Sequence, residues 1–321
     1  MMTRVLPLVL LCVLTVSSPA WCETVAGPPG RMVDVGGRRL HLLCVGAGSP
    51  TVVFESGLGE GSYAWALVQP AVGRQYRACS YDRSGIAFSD PDPAPRSVAG
   101  LVSDLHELLG RSGERGPYLL VGHSLGGLFV RRYAMRYPDE VAGLVLVDSS
   151  HEDGRRTASR EIADAQAKAL AARGEQMKRW RVSGQFEEMG FHDKVPKSML
   201  RVLKPRSGSE NWWDARFREN SLPDAQDDLT PEQRRLQVPV VVITATEWPT
   251  PRNYPPIAWK QHIETRMRLQ EELASRSPRS KHIVVRTEHH VQFENPDIVI
   301  KSIVELARHW RTWPSTGSPS Q

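Results

Sequence analysis

A serine hydroxyl becomes an effective nucleophile only when a base takes its proton and a third group orients that base. Ser124 is the serine whose surroundings suit that task. It stands in Gly122-His123-Ser124-Leu125-Gly126, a G-x-S-x-G run, between an apolar stretch at 118–121 and apolar residues that return at helical spacing after Gly127. The segment reads as strand, tight turn, helix. Glycines on both sides of the serine allow a sharp bend that lifts its hydroxyl above the sheet edge. The helix that follows aims its N-terminus at the same spot, where free N–H groups and the helix dipole favour a developing negative charge. Five residues can fit a loose pattern by chance, and it is the flanking strand and helix that give this match its weight.

The base must come from the ten histidines. His289 and His290 lie just beyond an expected strand at 282–286, in the loop before the last helix. With a chain order of serine, acid, histidine, the base belongs in that loop. One member of the pair can be idle, as most exposed histidines are.

The elements that would carry these residues alternate. A hairpin is expected at 32–35 and 39–45, and a short strand at 51–55 runs into the glycine-rich loop Ser56-Gly57-Leu58-Gly59. A strand at 77–81 follows, then a helix at 97–110 with a serine cap and leucines at 101, 105, 108 and 109 on one face. After the elbow and its helix, residues 141–147 form a continuous apolar run, as in a strand buried on both faces. Strands alternating with helices imply a mainly parallel sheet, hence an α/β fold. The alternation stops at Asp148. Residues 151–236 are charged and helix-like, with helices expected at 162–180 and 197–203, and read as an inserted helical cap or lid. Alternation resumes with a strand at 238–244, a helix at 258–274, the strand at 282–286 and a last helix capped by Asn295, with Pro296 at its first position. The core is therefore expected over 23–150 and 237–311, followed by a polar, disordered tail at 312–321.

Residues 1–22 differ in kind: Arg4, an apolar run from Val5 to Val16, then Ser17, Ser18, Pro19 and Ala20. This is the pattern of a signal peptide, cleaved after Ala20 or Cys22, and predicts a secreted or periplasmic protein; an uncleaved N-terminal anchor is the rival. No other stretch approaches a membrane-spanning length. Cys12 and Cys22 fall in this leader, which leaves Cys44 and Cys79 as a possible disulfide after export or as two buried thiols. A net charge of +5 with both signs interspersed gives no nucleic-acid footprint. Zinc-like His/Cys spacings are absent, and neither a metal nor an organic cofactor is implied.

The chain resembles a secreted bacterial α/β-hydrolase of the esterase/lipase-like superfamily, over nearly everything from 33 to 310. The resemblance rests on Phe54-Glu55-Ser56-Gly57 at the oxyanion loop, Tyr81-Asp82-Arg83-Ser84-Gly85 at a D-R-x-G turn, Gly122 to Gly126 at the elbow, and His289 to Pro296 at the histidine loop. It implies the α/β-hydrolase fold with a helical cap inserted after the strand ending at Asp148. The spacing of the histidine to Gln292-Phe293-Glu294-Asn295-Pro296 selects His289 over His290, and the resemblance makes His123 a common elbow occupant, not a base. The oxyanion hole would use the backbone N–H groups of Leu125 and Leu58, the latter with Gly57 and Gly59 as neighbours. Where most relatives carry an aspartate a few residues after the strand at 238–244, this chain has Glu247 and no aspartate. Asp148, at the end of the strand after the nucleophile helix, is the position some branches use; it is the preferred acid here and Glu247 the alternative. Asp82 and Arg83 read as structural braces. The aromatic residues of the insertion either line an acyl pocket or pack the cap against itself.

The expected function is hydrolysis of an ester or related acyl bond in a small-molecule substrate, through an acyl-enzyme on Ser124. The same machinery serves amides, thioesters, lactones and carbon–carbon bonds, and a cofactor-free perhydrolase or haloperoxidase. A non-catalytic, hydrolase-like binding protein is the alternative from another class.

Overall fold

Strands β5 (Tyr118–His123) and β6 (Val141–Val147) are buried along their whole length, as are β3 (Thr51–Glu55) and β7 (Val240–Ala245). Apolar runs without polar alternation need cover on both faces of a parallel sheet. The computed structural model, which describes residues 29–222, 229–230, 232–251 and 254–313, provides it. These strands sit inside an eight-stranded sheet ordered β1-β2-β4-β3-β5-β6-β7-β8, completed by β1 (Arg31–Asp34), β2 (Arg39–Val45), β4 (Ala78–Tyr81) and β8 (Ser280–Val285). The β1–β2 and β2–β4 pairs are antiparallel and the rest parallel.

Side chains alternate across the sheet with period two. Leu120, Leu144 and Val242 pack with α2 (Val98–Ser112) and α3 (Leu125–Arg136) on one face. Leu119, Val145 and Val241 pack on the other with α1 (Gln69–Val72) and α9 (Pro296–His309). The fold is that of an α/β-hydrolase, a mostly parallel open sheet flanked by helices, as the sequence predicts.

Between β6 and β7 the chain leaves the sheet and forms α4 (Arg160–Ser183), α5 (Lys197–Ser207) and α6 (Glu210–Asn220). The predicted 162–180 helix is α4, which is longer because Ser159 caps its start and Gly184, at φ +69, closes it. Helix α6 is not foreseen. Its apolar residues do not repeat as one stripe, and its buried face includes a carboxylate, Glu219. The later helices are α7 (Pro256–Ser275) and the short α8 (Val291–Glu294).

The strand order explains where a site can form. From β3 the chain passes to β4 on one side and then to β5 on the other, so the carboxyl ends of β3 and β5 flank a topological switch point. Glu55 pairs with Gly122, which sets the loop after β3 beside the elbow. His123 pairs with Val147, which delivers Asp148 to the same edge.

Cys44 and Cys79 face each other across β2–β4 and are joined by an S–S bond of 2.07 Å. The predicted signal peptide at 1–22, with Cys12 and Cys22, and the tail beyond 313 lie outside the described residues. Among the described residues, no helix is long and apolar enough to cross a membrane. Thiol titration of denatured, unreduced protein is expected to find neither Cys44 nor Cys79 free. Reduction opens a loop of 35 residues and, on chain-entropy grounds, should lower the unfolding free energy by roughly 4 kcal/mol, measured from urea midpoints.

Candidate active site

Ser124, between β5 and α3, has φ 51 and ψ −121, a strained backbone for any residue with a side chain. The strain is possible because its neighbours have none. A Cβ on Gly122 would lie 2.6 Å from the Gly127 Cα, and one on Gly126 would lie 2.5 Å from the Glu55 carbonyl oxygen. The glycines therefore serve close backbone approach, while the serine itself carries the positive φ. This pulls the start of α3 onto the loop after β3.

Three residues predicted from sequence meet here. The Ser124 hydroxyl lies 2.9 Å from His289 Nε2, and His289 Nδ1 lies 2.7 Å from Asp148 Oδ2. A carboxylate can only accept, so Nδ1–H donates to Asp148 and the Nε2 lone pair faces the serine hydroxyl. Glu247, the alternative acid, is elsewhere: its carboxylate pairs with Arg286 at 3.2 Å on the surface. His290 turns away from Ser124 and donates to Glu60 at 3.1 Å.

Asp148 is fully buried and saturated with donors. Oδ2 accepts from His289 and from Trp248 Nε1 at 3.1 Å, and Oδ1 accepts from the Ala245 N–H at 3.0 Å and pairs with Arg266 at 2.7 Å. Burial works to raise its carboxyl, yet His289, Arg266 and the Ala245 amide hold it below the usual carboxylate range. Burial pushes the His289 imidazole down to about 4, and the neighbouring His123 and His290 add to this against the pull of Asp148. At neutral pH His289 is thus a free base. Glu60 is held well below the usual range against its own burial by His123 and His290, while Glu60 raises His290. His123 bridges this cluster to the base loop, with Nδ1 3.2 Å from Glu60 and Nε2 3.1 Å from the His289 carbonyl oxygen.

The loop after β3 is pinned atom by atom. Arg83 donates to the Ser56 and Gly57 carbonyls at 2.8 and 2.6 Å, and the Gly57 N–H reaches Glu60 at 3.1 Å. The Gly59 N–H is held by Glu219 at 2.8 Å, its carbonyl by Trp212 Nε1 at 2.9 Å, and the Leu58 carbonyl by Arg216 at 3.2 Å. Among the described residues, the Leu58 N–H is the one backbone polar group of Gly57–Gly59 without a partner. Leu125, the first residue of α3, has the unpaired N–H of a helix start. Asp82 and Arg83 are braces, though not to each other: Asp82 takes the Ser62 N–H at 2.6 Å, and Arg83 joins Glu55 and Glu219.

A cavity of about 240 Å³ opens beside Leu125, lined by Leu128, Trp248, His262, Arg266 and Gln270 among others. The insertion's large aromatics do not line it. Trp180 packs on Trp213 at 4.9 Å, and Trp212, Tyr63 and Phe191 pack on one another within the same apolar cluster. Arg266, Trp248, Glu60 and α6 escape the sequence reading. Of these only Glu60, a carboxylate directly after a glycine-rich loop, leaves a visible trace.

The His289 ring signals in NMR should titrate with a midpoint near pH 4. Arg266→Met removes a cation competing for Asp148 and should raise that midpoint; a midpoint near 6.5, or one unmoved by the substitution, contradicts the arrangement.

A family model described as alpha/beta hydrolase fold matches residues 50–187. The chain is 33% identical over 147 residues to the protein named Probable transporter efuK of Hormonema carpetanum, covering 43% of this chain and 21% of that protein. It spans well under half the length of the first curated relatives it matches. Among solved structures it superposes on a serine hydrolase involved in carbazole degradation with a TM-score of 0.59 at 19% identity, over 86% of this chain and 97% of that one. A mutant of a "putative epoxide hydrolase" from Pseudomonas aeruginosa gives a TM-score of 0.66 at 19% identity, over 90% and 99%. At such identity the likeness concerns the fold. Sheet order, nucleophile-type elbow and matched segment together make this chain a protein of the α/β-hydrolase fold.

Proposed function

We propose that the chain is a serine hydrolase that cleaves an ester or related acyl bond through an acyl-enzyme. The observation that carries this reading is the hydrogen-bonded line Asp148–His289–Ser124, at 2.7 and 2.9 Å. In the reaction, Ser124 Oγ attacks the acyl carbon as His289 Nε2 takes its proton, and Asp148 holds the ring and the charge it acquires. The carbonyl electrons move to oxygen, where the N–H groups of Leu125 and Leu58 receive them. His289 then passes the proton to the leaving group. Water, deprotonated by the same ring, releases the acid and restores the serine.

A carboxylate nucleophile, as ring opening through an alkyl-enzyme requires, is not available at an elbow occupied by Ser124. The cavity of about 240 Å³ is lined by Leu125 and Trp248, neighbours of Ser124 and His289, but not by those two residues themselves; it exceeds the roughly 150 Å³ that admits benzene and has room for a short acyl or alcohol group beside the elbow. The reading extends to an exported protein: the leader-like residues 1–22 support it, as does the Cys44–Cys79 bond, which persists in oxidising compartments.

A fluorophosphonate probe should label the folded protein and fail on Ser124→Ala; labelling that ignores Ser124 sinks the reading. On one short ester, Asp148→Asn should lower kcat by roughly 10³–10⁴-fold, whereas Glu247→Gln leaves turnover near wild type, and the reverse pattern would make Glu247 the acid. The base acts only when deprotonated. Activity is therefore present above the His289 pKa and lost as pH falls through about 4, so kcat/KM should hold at pH 5.5, where an ordinary histidine would already have lost most of it.

A further inference from the structure

Helix α6 belongs to the insertion, yet three of its side chains end on the turn after β3. Trp212, Arg216 and Glu219 are spaced four and three apart, so they share one face of the helix. Trp212 Nε1 donates to the Gly59 carbonyl at 2.9 Å, Arg216 donates to the Leu58 carbonyl at 3.2 Å, and Glu219 accepts the Gly59 N–H at 2.8 Å. The fit is close. A Cβ on Gly59 would lie 2.6 Å from Arg216 Cγ, and Gly59 has φ +67, the left-handed conformation in which glycine is unstrained.

We propose that the insertion positions the oxyanion hole: α6, through Trp212, Arg216 and Glu219, fixes the Leu58 and Gly59 peptides and so leaves the Leu58 N–H as the donor for the substrate oxygen. This rests on the reading above that Ser124 is the nucleophile and that the Leu58 N–H receives the oxyanion. The three side chains are positioning residues, since they act through the turn. From the sheet side, Arg83 and Glu60 take the Ser56 carbonyl and both polar backbone groups of Gly57, but nothing there holds Leu58 or Gly59. Without α6 the second donor is tethered at one end only. An oxyanion donor stabilises charge in the transition state more than the neutral carbonyl of the bound substrate. Loosening the turn should therefore lower kcat and spare KM, whereas loss of a purely substrate-lining role would raise KM.

The test uses the full chain. Trp212→Phe and Arg216→Met keep ring and stem but remove the donors, and both leave the buried Glu219 charge untouched. The double variant should lose roughly 10-fold to 100-fold in kcat on a short ester, with KM within about twofold and the melting temperature close to wild type. Affinity for a trifluoromethyl ketone, whose Ser124 hemiketal oxygen uses the same donors, should weaken by the same factor. Arg216→Lys, which can still donate, should recover most of the loss from Arg216→Met. Should the double variant fail to fold, Arg216→Met alone decides, with an expected loss of roughly fivefold to tenfold. Folded variants that keep kcat and inhibitor affinity within twofold of wild type, while Ser124→Ala is inactive, overturn the role of α6 alone. If Ser124→Ala retains activity, the serine-hydrolase reading falls, and this proposal falls with it.

Discussion

The buried guanidinium of Arg83 is the interaction on which the other parts depend. A cation removed from water is tolerated only when its charge and all its donors are met. Here Glu55 and Glu219 supply the charge, and the carbonyls of Ser56 and Gly57 take further donors. Glu55 ends β3 and Glu219 lies on α6, so one side chain fastens the central sheet, the loop after β3 and the insertion together. Arg96 adds a second cation on Glu219 at 2.6 Å. Burial raises Glu55 despite Arg83, whereas Glu219, with two arginines and the Gly59 amide, is held below the usual range against its burial.

Around Ser124 a different economy of charge holds. Asp148 faces four donors, of which Arg266 is a full cation that also stacks over Trp248 at 4.2 Å. Trp248 in turn packs on the His289 ring at 4.4 Å. An acid already neutralised by an arginine pulls less strongly on the proton of its histidine. His123 and His290 act in the same direction, and the outcome is a base kept neutral well into the acid range.

How much of this was legible in the sequence depends on how local each signal is. Ser124 and His289 stand out because their backbone settings, a glycine-flanked turn and a loop before a proline-started helix, are written in adjacent residues. Asp148 is visible as the first polar residue after seven apolar ones, but nothing in its own neighbourhood separates it from Glu247. That distinction comes from sheet register, which pairs His123 with Val147, and from Arg286, which draws Glu247 to the surface. Arg266 lies 118 residues beyond Asp148 and Glu219 160 residues beyond Gly59, and no periodicity marks such partners. Helix α6 hides for a related reason: its buried face is chosen by hydrogen bonds to a distant turn as much as by apolar packing.

The tight fit of Arg216 against Gly59 has a consequence for how this fold can be recombined. A turn whose backbone is shaped around side chains from another part of the chain cannot be treated as belonging to the sheet alone. Exchanging the insertion for one from another protein of the same fold would leave the Leu58 and Gly59 peptides with unmatched polar groups, and the Arg83 and Arg96 cations without Glu219. The smallest portable unit is therefore discontinuous in sequence: the helices between β6 and β7 together with the turn at 57–60 and the arginines that join them.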